Sequence, residues 1–542
     1  MKPPIPSIPP IPSIPSARSA KVVSACLAAA LLTTGCGGVA PAGSSGGDAF
    51  SYAIRSDPGL LDPAQVQNTT TYTALSLAYD TLVHTGPDGR TVPGLAEKWS
   101  VRPDSVTFTL RPGTTCSDGS PVTASTVAAN VAHLTDPATK SPAYGVVVPE
   151  GLTAEADDAA RTVTLSTPEP FAFILRSTRY LFVVCGAGLK DRTLLRSGTS
   201  GSGPFRLTAA EPGQSYTFAR REDYTWGADG ATTADPAMPG SVVLKVVGSE
   251  ATAANLLLSH QLNGAQLTGP DRARVTGVPG ITTTDQANGT QEFFFHQGTG
   301  HPGSDPAVRT ALLQAVDLGS LGAIATGGTG RAPTGLVMAP KPCPGDTVTG
   351  RLPGYDPGAA ASALDTAGWH RGPGGVRAKD GRRLTIRMIY GASSGETMAA
   401  AAEYLAEAWR TAGAEVRLRA VSDAAYGEVE AVTQDWDVNW APLGVTLPTQ
   451  LLGALSGPFT PDGGNFAHLS NTRYEQLTAE ASRLPDATGC ALWQRAEHAL
   501  LDSADIVPVI DKTVTTAAHN ATFRITSGLF DPTSIRMTGG AK

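Results

Sequence analysis

The sequence predicts a mixed α/β protein made of several folding units. Its 542 residues, 41% of them hydrophobic, are enough for about three domains with buried cores. Short β-like runs alternate with Ala-rich segments that carry helix caps. The chain also has 60 Gly and 42 Pro but only 16% charged residues, which indicates a loop-rich fold rather than a helical bundle.

Helices are predicted from their capping residues and from amphipathic spacing. Capping residues mark three of them: Thr123–Leu134, a helix beginning at Asp305-Pro306, and one running from Asp356-Pro357 to Gly368. A Thr or Asp side chain at the N-cap accepts a backbone hydrogen bond, and Pro fits the first helical position. Gly395–Gly413 is predicted to be a longer helix with an apolar face.

Strands are predicted where short apolar or alternating runs lie between turn residues. The candidates are Val106–Leu110, Val163–Leu165, Val242–Val247, Phe293–Phe295 and Leu384–Ile389. Strands and helices do not follow a regular βαβ repeat, so a TIM barrel is not expected.

The N-terminal segment has the features of an export signal. Residues 1–21 contain three cations and no acid, and the apolar run Val22–Leu32 is too short to span a bilayer. The Gly-Cys junction that follows resembles a bacterial lipoprotein signal, although Thr33 stands where Leu is usual. We expect residues 1–35 to be the signal peptide, Cys36 to be lipidated and residues 36–47 to be a flexible tether. An ordinary secretory signal is the alternative.

The charge balance argues against nucleic acid as a partner. The whole chain has a net charge of -7. Removing residues 1–35 takes away three cations and no acids, which leaves 38 basic and 48 acidic residues and a net charge of −10. Phosphate contacts need a basic surface, so the protein is not expected to bind DNA or RNA.

Four cysteines follow the processing site, an even number for an oxidising compartment. They are Cys116, Cys185, Cys343 and Cys490. Four cysteines allow three pairings, and their spacing alone does not select one. No CxxC or Cys/His spacing indicates a zinc site.

An ordered series of motifs extends along the chain. It comprises Tyr79–Leu82, Asp88-Gly89, Pro93–Glu97 with Trp99, Phe108–Gly113, Asp118–Val127, Ser200–Phe205, Arg220–Trp226, Asp305–Asp317 and Tyr355–Trp369. The series resembles the extracellular solute-binding proteins of the peptide/nickel class (family 5), receptors that deliver oligopeptides, dipeptides or nickel to ABC importers. The resemblance covers nearly all of residues 48–542. The motifs supply turn and packing residues but no nucleophile, base or metal ligand, so they are scaffold.

The resemblance implies a two-lobe periplasmic-binding-protein-like (type II) fold with an extra inserted domain. Domain I then comprises residues 48–75, 196–288 and 511–542, the inserted domain II residues 76–195, and domain III, the second lobe, residues 289–510. Disulfides Cys116–Cys185 and Cys343–Cys490 each fall within one of these domains and leave the lobes free to close. They are therefore the pairing that the resemblance favours.

The function implied by the resemblance is solute capture for import. Such a receptor closes its lobes over a peptide or peptide-like ligand and delivers it to ABC permease and ATPase subunits. The sequence has no P-loop, which assigns ATP hydrolysis to a separate subunit. We expect a monomer without cofactor or enzymatic activity, held by its lipid on the outer face of the bacterial cell membrane.

One departure from the family concerns the ligand site. Relatives that take peptides commonly pair the ligand's α-amino group with an aspartate in the segment matching Asn439–Leu452, and here Gly444 occupies that position. A buried ammonium without a carboxylate is unfavourable. Either another acid such as Asp435 or Asp437 serves, or the ligand is not anchored through a free amine.

Two segments supply the candidate ligand contacts. The first contains Trp436, Asn439, Gly444 and Trp440, in which aromatic and polar side chains alternate as in a partly apolar cleft. For its tryptophans, packing in the core is the alternative. The second segment, residues 68–72, contributes Thr70 and Tyr72, with a solvated loop as the alternative.

Other functions have weaker sequence support. Gly391–Gly395 matches G-x-S-x-G between a predicted strand and helix, which would make Ser393 a hydrolase nucleophile with His498 or His519 as base. His296 and His301 are the closest histidines for binding a metal or a nickel chelate, but they lack a third partner. For the ligand, a sugar or another non-peptide solute is a further alternative. For the function, a receptor that signals without transport is a further alternative.

Overall fold

A computed structural model describes residues 49–66, 68–145, 148–526 and 528–539. The predicted signal peptide, the lipidation site Cys36 and the tether lie outside the described residues.

In the described part of the chain, 21 strands form one large sheet and several small ones. The strands are β1 (Ala49–Ile54), β2 (Val83–Thr85), β3 (Thr91–Pro93), β4 (Ala96–Val101), β5 (Ser105–Leu110), β6 (Thr153–Asp157), β7 (Thr162–Ser166), β8 (Phe205–Glu211), β9 (Ser215–Arg220), β10 (Ser241–Val246), β11 (Gly264–Leu267), β12 (Ile281–Phe295), β13 (His370–Arg371), β14 (Arg377–Lys379), β15 (Arg382–Arg383), β16 (Thr385–Gly391), β17 (Glu415–Val421), β18 (Val438–Trp440), β19 (Ile506–His519), β20 (Ala521–Thr526) and β21 (Leu529–Met537).

The same residues form 14 α-helices, several of them a single turn long. They are α1 (Thr69–Ala78), α2 (Ala124–Thr135), α3 (Ile174–Ser177), α4 (Gly186–Lys190), α5 (Glu250–Leu258), α6 (Arg272–Val275), α7 (Pro306–Gln314), α8 (Leu318–Thr326), α9 (Pro357–Thr366), α10 (Gly395–Ala412), α11 (Asp423–Gly427), α12 (Leu452–Leu455), α13 (Thr472–Ser482) and α14 (Cys490–Asp502).

The predicted helix caps are present. Thr123 forms a capping box with Thr126 at the start of α2, and Asp305 and Asp356 each accept a backbone N–H at the start of α7 and α9. The helix α10 ends at Gly413, whose φ of 104° lies in the left-handed region. These caps are local contacts, which is why the sequence predicts them well.

Two long strands connect the lobes. The large sheet has ten strands in the order β17-β16-β18-β12-β19-β11-β1-β10-β9-β8. β12 and β19 pair antiparallel at its centre; β19 also pairs with β11 of the first lobe, and β12 with β18 of the second. The predicted strand Phe293–Phe295 is only the end of β12. The predicted domain boundaries at residues 288 and 510 therefore fall within continuous strands, and the domain division remains a proposal.

Each lobe has its own core, and the inserted region has a third. A four-stranded sheet, β4-β5-β7-β6, packs with α2 around Phe108 and Val127. In the second lobe the sheet is covered on both faces, because consecutive residues of β12 point to opposite sides. Phe293 and Phe295 join one core cluster, and Phe294 joins the other.

The inserted region also touches the second lobe. Phe173 packs against Trp493 with ring centroids 5.8 Å apart, and Arg176 forms an ion pair with Asp486. The backbone N–H of Asp486 donates to the carbonyl of Ala172 at 2.7 Å. These contacts connect the inserted region to the second lobe.

The structure contains the two disulfides that the resemblance favours, Cys116–Cys185 and Cys343–Cys490. The first lies in the core of the inserted region, and the second links α14 to the loop before α9 within the second lobe. Neither disulfide joins the lobes, so neither opposes a hinge motion.

Candidate ligand-binding cleft

A cavity of about 980 Å³ lies where the two lobes and the inserted region meet. The crossover strands contribute Asn288, Gly289, Gln291 and Lys512; the inserted region contributes Glu150, Glu169, Phe171 and Tyr180; and the second lobe contributes Met338, Leu443, Gly444, Thr446 and Gln450. This volume is at the upper end of the range for small-molecule sites. We call this cavity the cleft.

A second cavity, beside Asp80 and His84, is much smaller. Its volume is about 60 Å³, and His84 Nε2 lies 2.7 Å from Asp80 Oδ1 at its edge. This volume holds a few waters at most. The larger cleft is therefore the candidate solute site.

A β-bulge shapes the floor of the cleft. In the β12–β19 ladder, Ala287 pairs with Thr513 and Thr290 pairs with Asp511, so two residues of β12 oppose Lys512. One of them, Gly289, has a φ of 100°, which favours glycine. Bulges re-aim side chains and are common beside functional sites. Here the bulge places polar groups of both crossover strands in the cleft.

The loop of residues 441–446 forms part of the second-lobe wall. Glu292 Oε1 accepts the N–H of Leu443 at 2.8 Å, and the carbonyl of Val445 accepts the N–H of Met338 at 2.9 Å. Between these two anchors, Gly444 is exposed to the cleft with a φ of 61°. Within the described residues, the backbone of Gly444 has no hydrogen-bond partner, so its N–H and C=O are available to a solute.

Glu292, which anchors this loop, is a buried carboxyl group. Only 1% of the residue is exposed, and Oε2 has no hydrogen-bond partner in the described structure. The pKa of Glu292 is raised to about 8, mainly by burial; the Leu443 N–H opposes the shift, and the nearby charge of Asp511 contributes to it. Glu292 is therefore largely protonated at neutral pH.

Of the predicted first-lobe contacts, Tyr72 lines the cleft. Its ring packs edge-on against Tyr180 with centroids 5.6 Å apart, and the hydroxyl group of Tyr180 lies 3.3 Å from Thr446 Oγ1 across the cleft. Thr70 is not among the lining residues; its hydroxyl accepts a hydrogen bond from Ser56 Oγ at 3.2 Å. Of these two residues, only Tyr72 is placed to contact a solute.

The structure does not bring Trp436, Asn439 or Trp440 to the cleft. Trp440 is 2% exposed in one second-lobe core cluster, and Trp436 is fully buried in the other. The side chain of Asn439 donates to Glu430 Oε1 at 2.8 Å inside the protein. The strand β18 lies between β16 and β12 and is covered on both faces, so we assign these residues to the core instead of to ligand contact.

The acids considered as replacements for the missing aspartate are also occupied elsewhere. Asp437 accepts from Arg387 Nε at 2.7 Å and from His301 Nδ1 at 2.8 Å, and Asp435 forms an ion pair with the same arginine. Burial opposes the charge of Asp437, but these hydrogen bonds outweigh it and lower its pKa to about 2. Asp437 lines a separate polar pocket, so it does not replace the missing aspartate in the cleft.

The residues singled out for hydrolysis do not assemble. Ser393 Oγ donates to Asp423 Oδ1 at 2.7 Å. His498 contacts Arg351, and the His519 ring stacks on His260. In the described structure, neither histidine is hydrogen-bonded to Ser393.

The histidines considered for metal binding stack on each other. The ring centroids of His296 and His301 lie 3.7 Å apart, and His301 contacts Asp437. Burial, followed by the neighbouring histidines, lowers the pKa of His296 to about 3, so this ring is neutral. Among the described residues, no group of three His, Cys, Asp or Glu side chains is arranged to hold a metal ion.

Several residues that line the cleft were not predicted from the sequence. Lys512, Gln291 and Tyr180 lie outside the motif series, and no spacing pattern connects them. One available signal was Gly289 inside a strand-like run, because an isolated Gly in a strand often marks a bulge.

The fold and the cleft define a two-lobe solute-binding protein with an inserted domain. Residues 90–454 match the model of the bacterial extracellular solute-binding proteins, family 5 (middle region). This match spans more than half of the chain, and the protein belongs to that family.

Curated relatives and a solved structure extend the match to most of the chain. Protein XP55 of Streptomyces lividans is 27% identical over 82% of this chain and 80% of its own length. The periplasmic murein peptide-binding protein MppA of Escherichia coli is 24% identical over 85% and 87%. A substrate-binding protein from Microbacterium hydrocarbonoxydans, solved with 4-hydroxybenzoate hydrazide, superposes with a TM-score of 0.68 at 26% identity, covering 91% of this chain and all of that one.

No helix within the described residues is both long and apolar enough to cross a bilayer.

Proposed function

We propose that this protein is the solute-capturing subunit of an ABC importer, and that its ligands are peptides or peptide-like solutes. The observation that carries the proposal is the cleft of about 980 Å³ beside the two crossover strands. The unpaired backbone of Gly444 and the amide side chains of Asn288, Gln291 and Gln450 supply hydrogen-bonding groups for a peptide backbone. The murein peptide-binding relative supports the same ligand class.

Lobe closure is the mechanism that we propose for capture. A ligand that touches the crossover strands, the inserted region and the second lobe stabilises the closed state by its differential affinity. The contacts of Phe173 with Trp493 and of Arg176 with Asp486 hold the inserted region against the second lobe in this arrangement. A separate permease and ATPase accept the loaded protein. We assign no catalytic role to Ser393, since its hydroxyl bonds to Asp423 instead of a histidine.

The test is binding and closure with defined peptides. Calorimetry with a panel of two- to five-residue peptides is expected to give saturable binding, and X-ray scattering to show a smaller radius of gyration with ligand. Gly453→Phe is expected to abolish binding, because a Cβ at this cleft-lining position meets no atom within 4 Å and the ring extends into the cleft.

Gly427→Phe is the matched control. It makes the same substitution at another glycine with open space around its Cβ, on α11 and outside the cleft. It should leave binding unchanged. Equal binding by both variants, or no binding of any peptide by the wild type, contradicts the proposal.

We further propose that the mature protein is a monomer attached through Cys36 to the outer face of the cell membrane. Two or more acyl chains at the N-terminus would hold the protein stably on a bilayer. Cys36→Ala is expected to move the protein from the membrane fraction into the medium, as measured by immunoblotting of both fractions. Cys26→Ala, inside the apolar run of the signal, is the control that should stay on the membrane. Membrane retention of Cys36→Ala refutes the anchor.

A further inference from the structure

Lys512 is a cation in the cleft with no partner of opposite charge in the part of the chain that the structure describes. It lies on β19 at the point where the crossover strands pass between the lobes, and it lines the cleft. Throughout the described residues, its ammonium group has no ion pair and no side-chain hydrogen bond. Burial lowers the pKa of Lys512, and no neighbouring carboxylate offsets this effect.

The adjacent acid does not compensate for this charge. Asp511 Oδ1 accepts a hydrogen bond from Thr290 Oγ1 at 2.7 Å, and successive residues of a strand point to opposite faces. Burial raises the pKa of Asp511, and the positive charge of Lys341 lowers it. Lys341 has no such effect on the pKa of Lys512. The ammonium group of Lys512 therefore faces the cleft, whereas the carboxylate of Asp511 is bonded to Thr290.

Polar groups surround Lys512 on the side open to a solute. The bulge places Asn288 and Gly289 opposite it, and Gln291 follows on the same strand. A half-buried charge is unfavourable unless it is paired, so an anion entering here gains a charge-assisted contact without displacing one already made. Amide groups nearby supply further hydrogen-bond donors.

We propose that Lys512 anchors a carboxylate of the solute and makes the cleft selective for carboxylate-bearing ligands. For peptides, this means recognition of a free C-terminus. The inference rests on the proposed function, which it deepens by naming the charged group that the cleft requires.

The cleft also contains two acidic side chains. Glu150 and Glu169 lie on the inserted-region wall, and neither forms an ion pair with a described cation. Both are exposed, so water and salt screen their charges. Lys512 is less exposed than either, and we therefore assign it the larger share of charge selectivity.

The test compares acid and amide forms of the same probe. Wild-type protein is expected to bind Ala-Ala-Ala about 10- to 100-fold more tightly than its C-terminal amide, the range for a charge-assisted hydrogen bond. Lys512→Met should abolish this preference by weakening the acid form alone, and Lys512→Arg should retain most of it. Lys190→Met, at an exposed lysine outside the cleft, should change neither affinity.

Folding of the key variant is checked separately. Because Lys512 has no partner among the described residues, Lys512→Met is expected to melt at the wild-type temperature or slightly above it. A clear drop in melting temperature would show that Lys512 is paired within the protein, which overturns the inference.

A second probe pair separates this inference from the peptide assignment. It consists of 4-hydroxybenzoate and 4-hydroxybenzamide. If no peptide binds but the benzoate is preferred through Lys512, the peptide assignment fails and the carboxylate anchor stands. If peptides bind equally well as acid and amide, or if Lys512→Met keeps the preference, the anchor fails and the peptide assignment stands. Binding of neither pair overturns both.

Discussion

Glu292→Gln is expected to make the protein more stable than the wild type above neutral pH, by about 3–5 kcal/mol once the wild-type carboxyl group is ionised. Glu292 is 1% exposed, and burial raises its pKa from 4.5 to about 8. Because the folded-state pKa is the higher one, the stability that the protonated carboxyl group contributes is complete below pH 4.5. It is lost as the pH rises to about 8.

Glutamine mimics the protonated side chain and cannot ionise. It also keeps an oxygen to accept the Leu443 N–H, which Glu292 Oε1 accepts at 2.8 Å. The loop of residues 441–446 should therefore keep its place, and ligand binding at pH 7 should change little. The measurement is the free energy of unfolding in urea at several pH values between 4 and 9, with the wild type and variant compared at each pH.

Glu155→Gln provides the control for general charge effects. Glu155 is an exposed residue of β6, so its replacement should leave the pH dependence of unfolding unchanged. Parallel stability curves for Glu292→Gln and the wild type across this range would show that Glu292 ionises equally easily in the folded and unfolded chains. That result would rule out the buried, protonated carboxyl group described above.

Gly444→Asp is expected to create a preference of about 10- to 100-fold for peptides with a free amine over their N-acetylated forms, the range for a charge-assisted contact. Gly444 lies in the cleft wall at the position where the family resemblance places an amine-binding aspartate. A Cβ at Gly444 meets no atom within 4 Å, so the new carboxylate extends into the cleft. The wild type should bind Ala-Ala-Ala and N-acetyl-Ala-Ala-Ala with similar affinity.

The backbone at this position accepts the substitution better than most. Gly444 has a φ of 61°, a left-handed conformation that Asp and Asn adopt more readily than other side chains. Gly444→Asn is therefore the matched control, with the same shape and backbone preference but no charge. Calorimetry with both peptides on the wild type, Gly444→Asp and Gly444→Asn separates the effect of the carboxylate charge on affinity from the effect of the added side-chain volume.

Two outcomes contradict this prediction. A strong preference of the wild type for the free amine would mean that another acid of the cleft already anchors it. A folded Gly444→Asp protein without any preference would mean that the ligand's amine lies elsewhere. In either case the resemblance would have placed the amine site incorrectly.

The contrast between Gly444 and Trp440 shows how much of the candidate site can be predicted from the sequence alone. Gly444 and Tyr72, both singled out from the sequence, line the cleft, and their contact with a ligand stays a prediction. Trp440 follows the same alternating pattern as a half-exposed strand residue but is buried. The pattern describes one strand, whereas burial depends on the strands and helices that cover it.

Lys512 and Asn288 are cleft residues that the sequence pattern does not reveal. Each is an ordinary polar residue in the sequence, and neither belongs to a motif. They meet only because β12 and β19 pair with a bulge at Asn288–Gly289. The charge of Lys512 becomes informative once the structure shows that, among the described residues, it forms no ion pair.

The sequence by itself determined the helix caps, the turns, the order of the motifs and through them the family. These features depend on contacts between residues a few positions apart or on a fixed order along the chain. The tertiary structure decided which residues face the cleft, that Glu292 is buried and that Lys512 lacks an ion-pair partner among the described residues. These properties depend on neighbours that are distant in sequence, because burial and charge pairing are set by packing and not by local spacing.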